Sequence, residues 1–200
     1  MLRRGSISFA ELFPAAQTGS RTLDQGEFLF QKRDASTLLY TVLDGCVRMV
    51  RFTGEGDAIV MHTARSGDSL AEASLFSEVY HCDAQAMAPS TVACYDKKSI
   101  LAILRDLPEK SLACIALFAR QVRSLRALLE VRSIRSARDR VLHYLLLHAD
   151  PDTLELTITG SVKDMAYDLT MAHETLYRTL ATLEKEGTIS RLAGTVKIYP

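Results

Sequence analysis

Residues 162–189 read Val-Lys-Asp-Met-Ala-Tyr-Asp-Leu-Thr-Met-Ala-His-Glu-Thr-Leu-Tyr-Arg-Thr-Leu-Ala-Thr-Leu-Glu-Lys-Glu-Gly-Thr-Ile. Two stretches have helical periodicity, 162–169 and 172–186, and only Thr170 and Met171 separate them. Met165, Ala166, Leu169, Met171 and Leu176 are spaced to fill a small core between the two helices. Thr175, Arg178 and Thr179 share part of the second helix's outer face. Gly187 follows that helix, at the position where glycine is favoured because the backbone turns left-handed. Residues 189–192 and 195–199 flank Ala193-Gly194 and predict a terminal β-hairpin. Two helices joined by so short a link and followed by a hairpin predict a winged helix-turn-helix. The same spacing also fits an αα-hairpin that only packs.

Working toward the N-terminus, 136–149 predicts another helix, with Val141, Leu142, Leu145 and Leu146 on its apolar face and Asp150-Pro151-Asp152 as its stop. A short strand follows at 154–158. From Pro108 the chain is helical through residue 131. Ile115, Phe118, Val122, Leu125 and Leu129 follow a 3-4-3-4 spacing there. So narrow a seam calls for a partner helix, and a second copy of the same helix is the simplest one. The alternative is a stripe that packs on its own β-domain. Arg120, Arg123 and Arg126 lie off the seam.

The first hundred residues read as short strands: 28–30, 38–43, 47–52 and 58–63, with 91–95 as a closing strand. Gly26, Asp44-Gly45, Gly54-Glu55-Gly56 and Gly67-Asp68 punctuate them, which suggests a sandwich, roll or barrel. Asp44-Gly45 between apolar runs predicts a tight hairpin. The 200-residue chain is 48% hydrophobic and 24% charged, which excludes wholesale disorder, collagen and a coiled-coil fibre. Its 24 basic and 24 acidic side chains cancel, yet seven arginines crowd into residues 120–140 against Glu130 and Asp139. The basic start, Met1-Leu2-Arg3-Arg4-Gly5, lacks an apolar run behind it and predicts no secretory signal. The longest apolar run, 112–119, is too short to span a membrane. Cys46, Cys82, Cys94 and Cys114 show no metal-binding spacing and read as free thiols of a cytoplasmic protein.

The stretch 162–189 also resembles the DNA-binding end of the CRP/FNR family of bacterial transcription regulators. The likeness rests on Met165-Ala166, Leu169, Glu174-Thr175-Leu176, Arg178, Leu183, Gly187 and Ile189. The chain departs from the pattern at Thr170, where the family has Gly, and at Ala172, where a Ser or Thr caps the recognition helix. Residues 26–30, Leu39 to Val50 with Gly45, and Gly67-Asp68 are similar to the family's cyclic-nucleotide-binding-type β-roll, with Arg33 replacing the usual Gly before Asp34. The resemblance implies an α+β architecture. An effector-type β-roll would span 1–107, a dimerisation helix 108–131, and a winged helix-turn-helix 132–200. It further implies double-stranded DNA, a second copy of the chain and RNA polymerase as partners.

On this resemblance the second helix of the pair reads bases in the major groove, where all base pairs are distinguishable. Arg178 can bind a guanine O6/N7 edge. Glu174 can accept from a cytosine N4 or orient Arg178 one turn away, and a plain solvated ion pair is the alternative. Tyr177 occupies a position where some oxygen regulators use Ser. His173, Thr175 and Lys163 are expected at phosphates or the rim of the interface.

In cyclic-AMP-binding members a phosphate cassette reads Gly-Glu-x-x-Leu-Phe and, later, Arg-Ser/Thr. The matching stretch is Ala71-Glu72-Ala73-Ser74-Leu75-Phe76, then Cys82-Asp83. Glu72, Ala73, Ser74, Cys82 and Asp83 are therefore the expected effector-pocket residues. Cys82 stands where the phosphate-binding Arg would be, and Asp83 is acidic. A buried phosphate needs a cation or several donors, so cyclic AMP is not the expected ligand. No Cys precedes Cys46, which speaks against an N-terminal iron–sulfur cluster. His81, Cys82 and His62 offer ligand types for haem, and Cys82 for a redox switch, so the cofactor stays unassigned. No metal set is assigned, and no enzyme motif is present. A cyclic-nucleotide-binding regulatory module without DNA binding would explain the β-roll but not residues 132–200.

Overall fold

The computed structural model describes residues 8–54, 58–158, 162–192 and 194–199. The basic N-terminal pentapeptide, Glu55-Gly56 and Ala193 lie outside the described residues. The chain divides into two compact units, Met1–Ala119 and Arg120–Pro200.

The N-terminal unit opens with a short helix, α1 (Phe9–Leu12), entered through a capping box between Ser8 and Glu11. Among the described residues eight strands follow: β1 (Gln17–Leu23), β2 (Phe28–Phe30), β3 (Leu38–Asp44), β4 (Cys46–Phe52), β5 (Ala58–Arg65), β6 (Ser69–Leu70), β7 (Asp83–Ala86) and β8 (Ser90–Asp96). They form two antiparallel sheets in the orders β1-β8-β3-β6 and β2-β7-β4-β5. Side chains from both sheets meet in one core that includes Leu23, Phe30, Tyr40, Val47, Leu70 and Val92. This burial of apolar faces from two sheets is what closes the roll.

Two sequence expectations need correction here. Asp44-Gly45 is a corner rather than a hairpin, because β3 and β4 belong to different sheets. Gly45 has φ +87°, and a Cβ there would lie 2.5 Å from Pro89 O and 2.7 Å from Ser90 Cα. The glycine thus admits the chain before β8 as well as the turn. The expected closing strand, β8, is interior: it pairs with both β1 and β3. Its neighbour β1 escapes sequence reading because it is exposed along nearly its whole length and lacks apolar alternation.

After β8, Asp96 caps α2 (Lys97–Asp106) by accepting from Ser99 N at 2.7 Å. The helix α3 (Pro108–Ser133) then runs through the boundary between the units. Cys114 and Phe118 pack in the N-terminal unit, while Leu128 and Val131 pack in the C-terminal one. Among the predicted seam residues, Ile115, Val122, Leu125 and Leu129 are exposed. Phe118 is not: it lies one turn after buried Cys114 and packs against the same core. Leu112, 68% exposed, extends the open apolar row one turn earlier.

The C-terminal unit contains α4 (Ala137–His148), β9 (Glu155–Thr157), α5 (Val162–Asp168), α6 (His173–Lys185), β10 (Ile189–Leu192) and β11 (Thr195–Ile198). Ser136 caps α4 by accepting from Asp139 N. The terminal hairpin gains a third strand, β9, in the order β10-β11-β9. Val141, Leu145, Leu169, Leu176, Leu180, Leu183 and Val196 are fully buried in the core of this unit.

Candidate nucleic-acid interface

Met165, Ala166, Leu169 and Leu176 are buried between α5 and α6, and Met171 packs on the same core. The link between the helices is a tight left-handed exit. Thr170 has φ +51°. Its N–H donates to Tyr167 O and that of Met171 to Ala166 O, both at 3.0 Å. This pair of bonds is a Schellman motif with Thr at the position that favours Gly. The next residue, Ala172, is the N-cap of α6 and offers no side-chain bond to the helix. Both departures from the family pattern therefore fall on positions with a definite backbone task.

The 3.6-residue repeat of α6 separates its two faces. Leu176, Thr179, Leu180 and Leu183 are buried. His173, Glu174, Tyr177, Arg178, Ala181, Thr182 and Lys185 are exposed. Thr179 thus leaves the outer face on which its spacing placed it. Its hydroxyl donates to Thr175 O at 2.7 Å, which satisfies it inside the core. Thr175 is half-buried, while Lys163 on α5 is exposed.

Glu174 and Arg178 make no ion pair among the described residues, although they stand one turn apart. Both side chains are exposed. His173 and Tyr177 are neighbours on the same face, edge to face with centroids 6.5 Å apart. Lys163, Ala166, Tyr167, Met171, Ala172 and His173 line a shallow cleft at the start of α6. On the wing, Arg191 pairs with Glu184 of α6 at 2.7 Å and Lys197 pairs with Glu155 of β9 at 3.0 Å. These bonds fasten the hairpin to the helix and the third strand. Leu192, 81% exposed, stands at the end of β10.

The arginine cluster was legible as charge but not as structure. Arg132 donates to Asp168 O at 2.6 Å and Arg140 to Leu169 O at 3.2 Å. Arg138 grips Glu186 through two nitrogens at 2.7 and 3.0 Å. Arg123, Arg126 and Arg135 are exposed.

The expected effector residues have the following settings. Ala71 has φ +67° and leads into the single 3₁₀ turn Glu72–Ser74. Glu72 accepts from Ser69 Oγ at 2.8 Å. Ala73 is exposed and Ser74 is buried. Cys82 is buried in the core between the sheets, and burial pushes its thiol pKa up. Asp83 accepts from Lys32 N at 2.7 Å, so its carboxylate holds a backbone turn. Arg51, which sequence reading missed, donates to His81 O and is the cation that acts on Cys82.

The candidate haem ligand types differ in setting. His81 is exposed and bonded to Ser77 Oγ at 2.9 Å, His62 is exposed on β5, and Cys82 faces the core. Among the described residues, no group of three or more His, Cys, Asp or Glu could hold a metal ion. No helix among them is long and apolar enough to cross a membrane. Cys82, Cys94 and Cys114 are buried free thiols, and Cys46 is half-buried.

The profile of the cyclic nucleotide-binding domain matches residues 20–106. The nitrogen fixation regulation protein FixK of Bradyrhizobium diazoefficiens is 27% identical over 202 residues, covering 96% of this chain and 84% of that protein. The transcriptional regulator LdrP of Thermus thermophilus is 26% identical over 170 residues, covering 82% and 84%. The solved structure of FixK2 from Bradyrhizobium japonicum has a TM-score of 0.71 at 17% identity, covering 92% of this chain and 93% of that one, a likeness of fold. These named relatives are regulators, not enzymes.

Proposed function

Since the chain belongs to the CRP/FNR family of transcription regulators, we propose that it binds a two-fold symmetric operator as a homodimer, with α6 in the major groove. One observation carries this reading. Among the described residues, the outer face of α6 presents Glu174 and Arg178 with no ion pair to one another, beside His173 and Tyr177, while its opposite face is buried. A polar outer face fits any surface helix; here it belongs to the second helix of a helix-turn-helix followed by a β-hairpin, the arrangement whose second helix enters the major groove. Arg178 is the base reader and Glu174 its neighbour on the base edges. Lys163 and Thr175 serve the phosphates.

The open apolar row on α3 supports dimerisation, since exposed leucines and isoleucine at this spacing cost free energy unless covered. RNA polymerase is the partner that family membership implies, and the free thiols fit a cytoplasmic setting. Cyclic AMP is not the controlling ligand on this reading. Cys82 lies in the apolar core where the phosphate's cation would be required, and Asp83 is engaged elsewhere.

Selection of binding sites from genomic fragments tests the function. The expected site has two half-sites about one helical turn apart. Arg178→Ala should cost about 1–3 kcal/mol at that site and relax specificity there. Equal loss on selected and random DNA would remove the base-reading role.

A further inference from the structure

The last turn of α5 accounts for each of its carbonyls. Leu169 N donates to Met165 O, Met171 N to Ala166 O, and Thr170 N to Tyr167 O, all at 3.0 Å. The carbonyls of Asp168 and Leu169 remain, and each takes a guanidinium. Arg132 Nε lies 2.6 Å from Asp168 O, and Arg140 Nη1 lies 3.2 Å from Leu169 O. Arg140 also donates from Nε to Ile134 O at 2.8 Å. The Asp168 carboxylate is held separately by Tyr144 Oη at 2.9 Å. A helix C-terminus carries unpaired carbonyls and partial negative charge, so cationic donors there are favoured. Bonds from an ionised donor are shorter and stronger than neutral ones.

The origin of Arg132 gives this contact its meaning. It lies in the last turn of α3, the helix with the exposed apolar row, whereas Asp168 ends the first helix of the helix-turn-helix. Along the chain, α3 and α4 are joined by only three non-helical residues, 134–136. Such a link leaves the helices free to pivot unless side chains fix them. Arg132 and Arg140 bracket that link and both fasten to the end of α5.

We infer that Arg132 is a positioning residue that ties α3 to the turn of the helix-turn-helix, so that the recognition face keeps a fixed relation to the dimer seam and the dimer reads one half-site spacing. The inference rests on the dimeric, operator-binding reading above. A shift of one base pair moves a half-site by about 3.4 Å and rotates it by about 34°, which a rigid link does not follow.

Two measurements on the full chain test this, with Arg132→Met and Arg132→Lys. Methionine keeps most of the apolar stem and removes the donors, while lysine restores a cation. In the first, without DNA, amide hydrogen exchange across 168–172 should quicken about tenfold or more in Arg132→Met, the effect of losing one charged hydrogen bond. Exchange across 176–183 should stay unchanged, and Arg132→Lys should fall between. In the second, the wild type selects a two-fold duplex from random DNA. Each protein is then titrated with that duplex, with versions one base pair longer and shorter between half-sites, and with a single half-site. Arg132→Met should lose the spacing preference while binding the single half-site like the wild type. Unchanged exchange together with an intact spacing preference would overturn the inference, as would equal loss on every duplex. If the wild type selects no two-fold site, the dimeric reading and the spacing role fall together, while the exchange result still decides whether the contact exists.

Discussion

The turn between α5 and α6 carries two local costs that substitution should remove. Thr170 sits at φ +51°. A residue with a Cβ pays about 1–2 kcal/mol for that conformation, and a β-branched one stands at the upper end. Glycine avoids this but returns about 0.5–1 kcal/mol through the freedom of the unfolded chain. Thr170→Gly should therefore stabilise the C-terminal unit by about 0.5–1 kcal/mol. The Thr170 N–H bond to Tyr167 O is backbone only and survives the change. Ala172 is an N-cap with a suitable extended backbone, φ −62° and ψ 138°, but no acceptor. Ala172→Ser adds one and should give about 1 kcal/mol. The two residues share a turn, so the double variant need not be additive, but about 1–2 kcal/mol is expected. For a unit of this size that raises its melting temperature by roughly 4–8 °C per kcal/mol. Calorimetry resolves the two units better than a single optical probe, and exchange at α6 amides reports the gain locally. A fall in stability for Thr170→Gly would refute the left-handed assignment, and no gain for Ala172→Ser would mean the first N–H groups of α6 already have partners.

Three further outcomes are expected. Val122→Glu places like charges on the seam of both copies at a cost of several kcal/mol, so sedimentation should show monomer and operator binding should collapse; a tight Val122→Glu dimer would place the interface elsewhere. Calorimetry with cyclic AMP and cyclic GMP should show no binding at micromolar concentration, and micromolar binding of either would refute the reading of Cys82. Burial holds His148 below its ordinary value of 6.5, so the unfolded chain binds more protons as pH falls through and below 6.5. Its contribution is present above that range and lost on acidification. Urea midpoints should fall between pH 7.5 and 5.5, and less so in His148→Phe; an equal fall in both would assign the pH dependence to other groups.

The C-terminal half was legible because its signals are local. Leu176, Leu180 and Leu183 repeat at helical spacing, Gly187 adopts φ +74°, and Ser136 and Asp150 mark the ends of α4 within a residue or two. The N-terminal sheets were legible as strands but not as topology. Gln17–Leu23 offers no alternation, and nothing local tells that β3 turns away from β4 to pair with β8. Non-local pairing is decided by the whole core, which no short window contains. The site divides the same way. Arg178 lies on the exposed face where its spacing placed it, and His173, Glu174 and Tyr177, expected there from the resemblance, share that face. Thr179 moved inward because a hydroxyl can bond to the preceding turn and so tolerate burial. Arg132 and Arg140 read only as part of a local basic stretch, because the carbonyls they serve lie 36 and 29 residues away.

Three departures from the family's glycines show which changes a fold absorbs. Arg33, Ala71 and Thr170 all keep a left-handed backbone, at φ 78°, 67° and 51°. In each case neighbouring backbone bonds fix the turn regardless of the side chain. Arg33 N donates to Tyr80 O while Tyr80 N donates to Asp34 O, Ser74 N donates to Ala71 O, and Thr170 N donates to Tyr167 O. Each substitution therefore costs about 1–2 kcal/mol without opening the turn. Cys82 is a different kind of change. Backbone geometry can replace a missing glycine, but it cannot supply a missing positive charge, and burial keeps the Cys82 thiol neutral rather than offering any charge of its own. A β-roll can thus outlast the loss of its turn residues, whereas a buried anion site cannot outlast the loss of its cation unless another moves in. Arg51, bonded to His81 O beside that position, is the side chain whose reach would decide it.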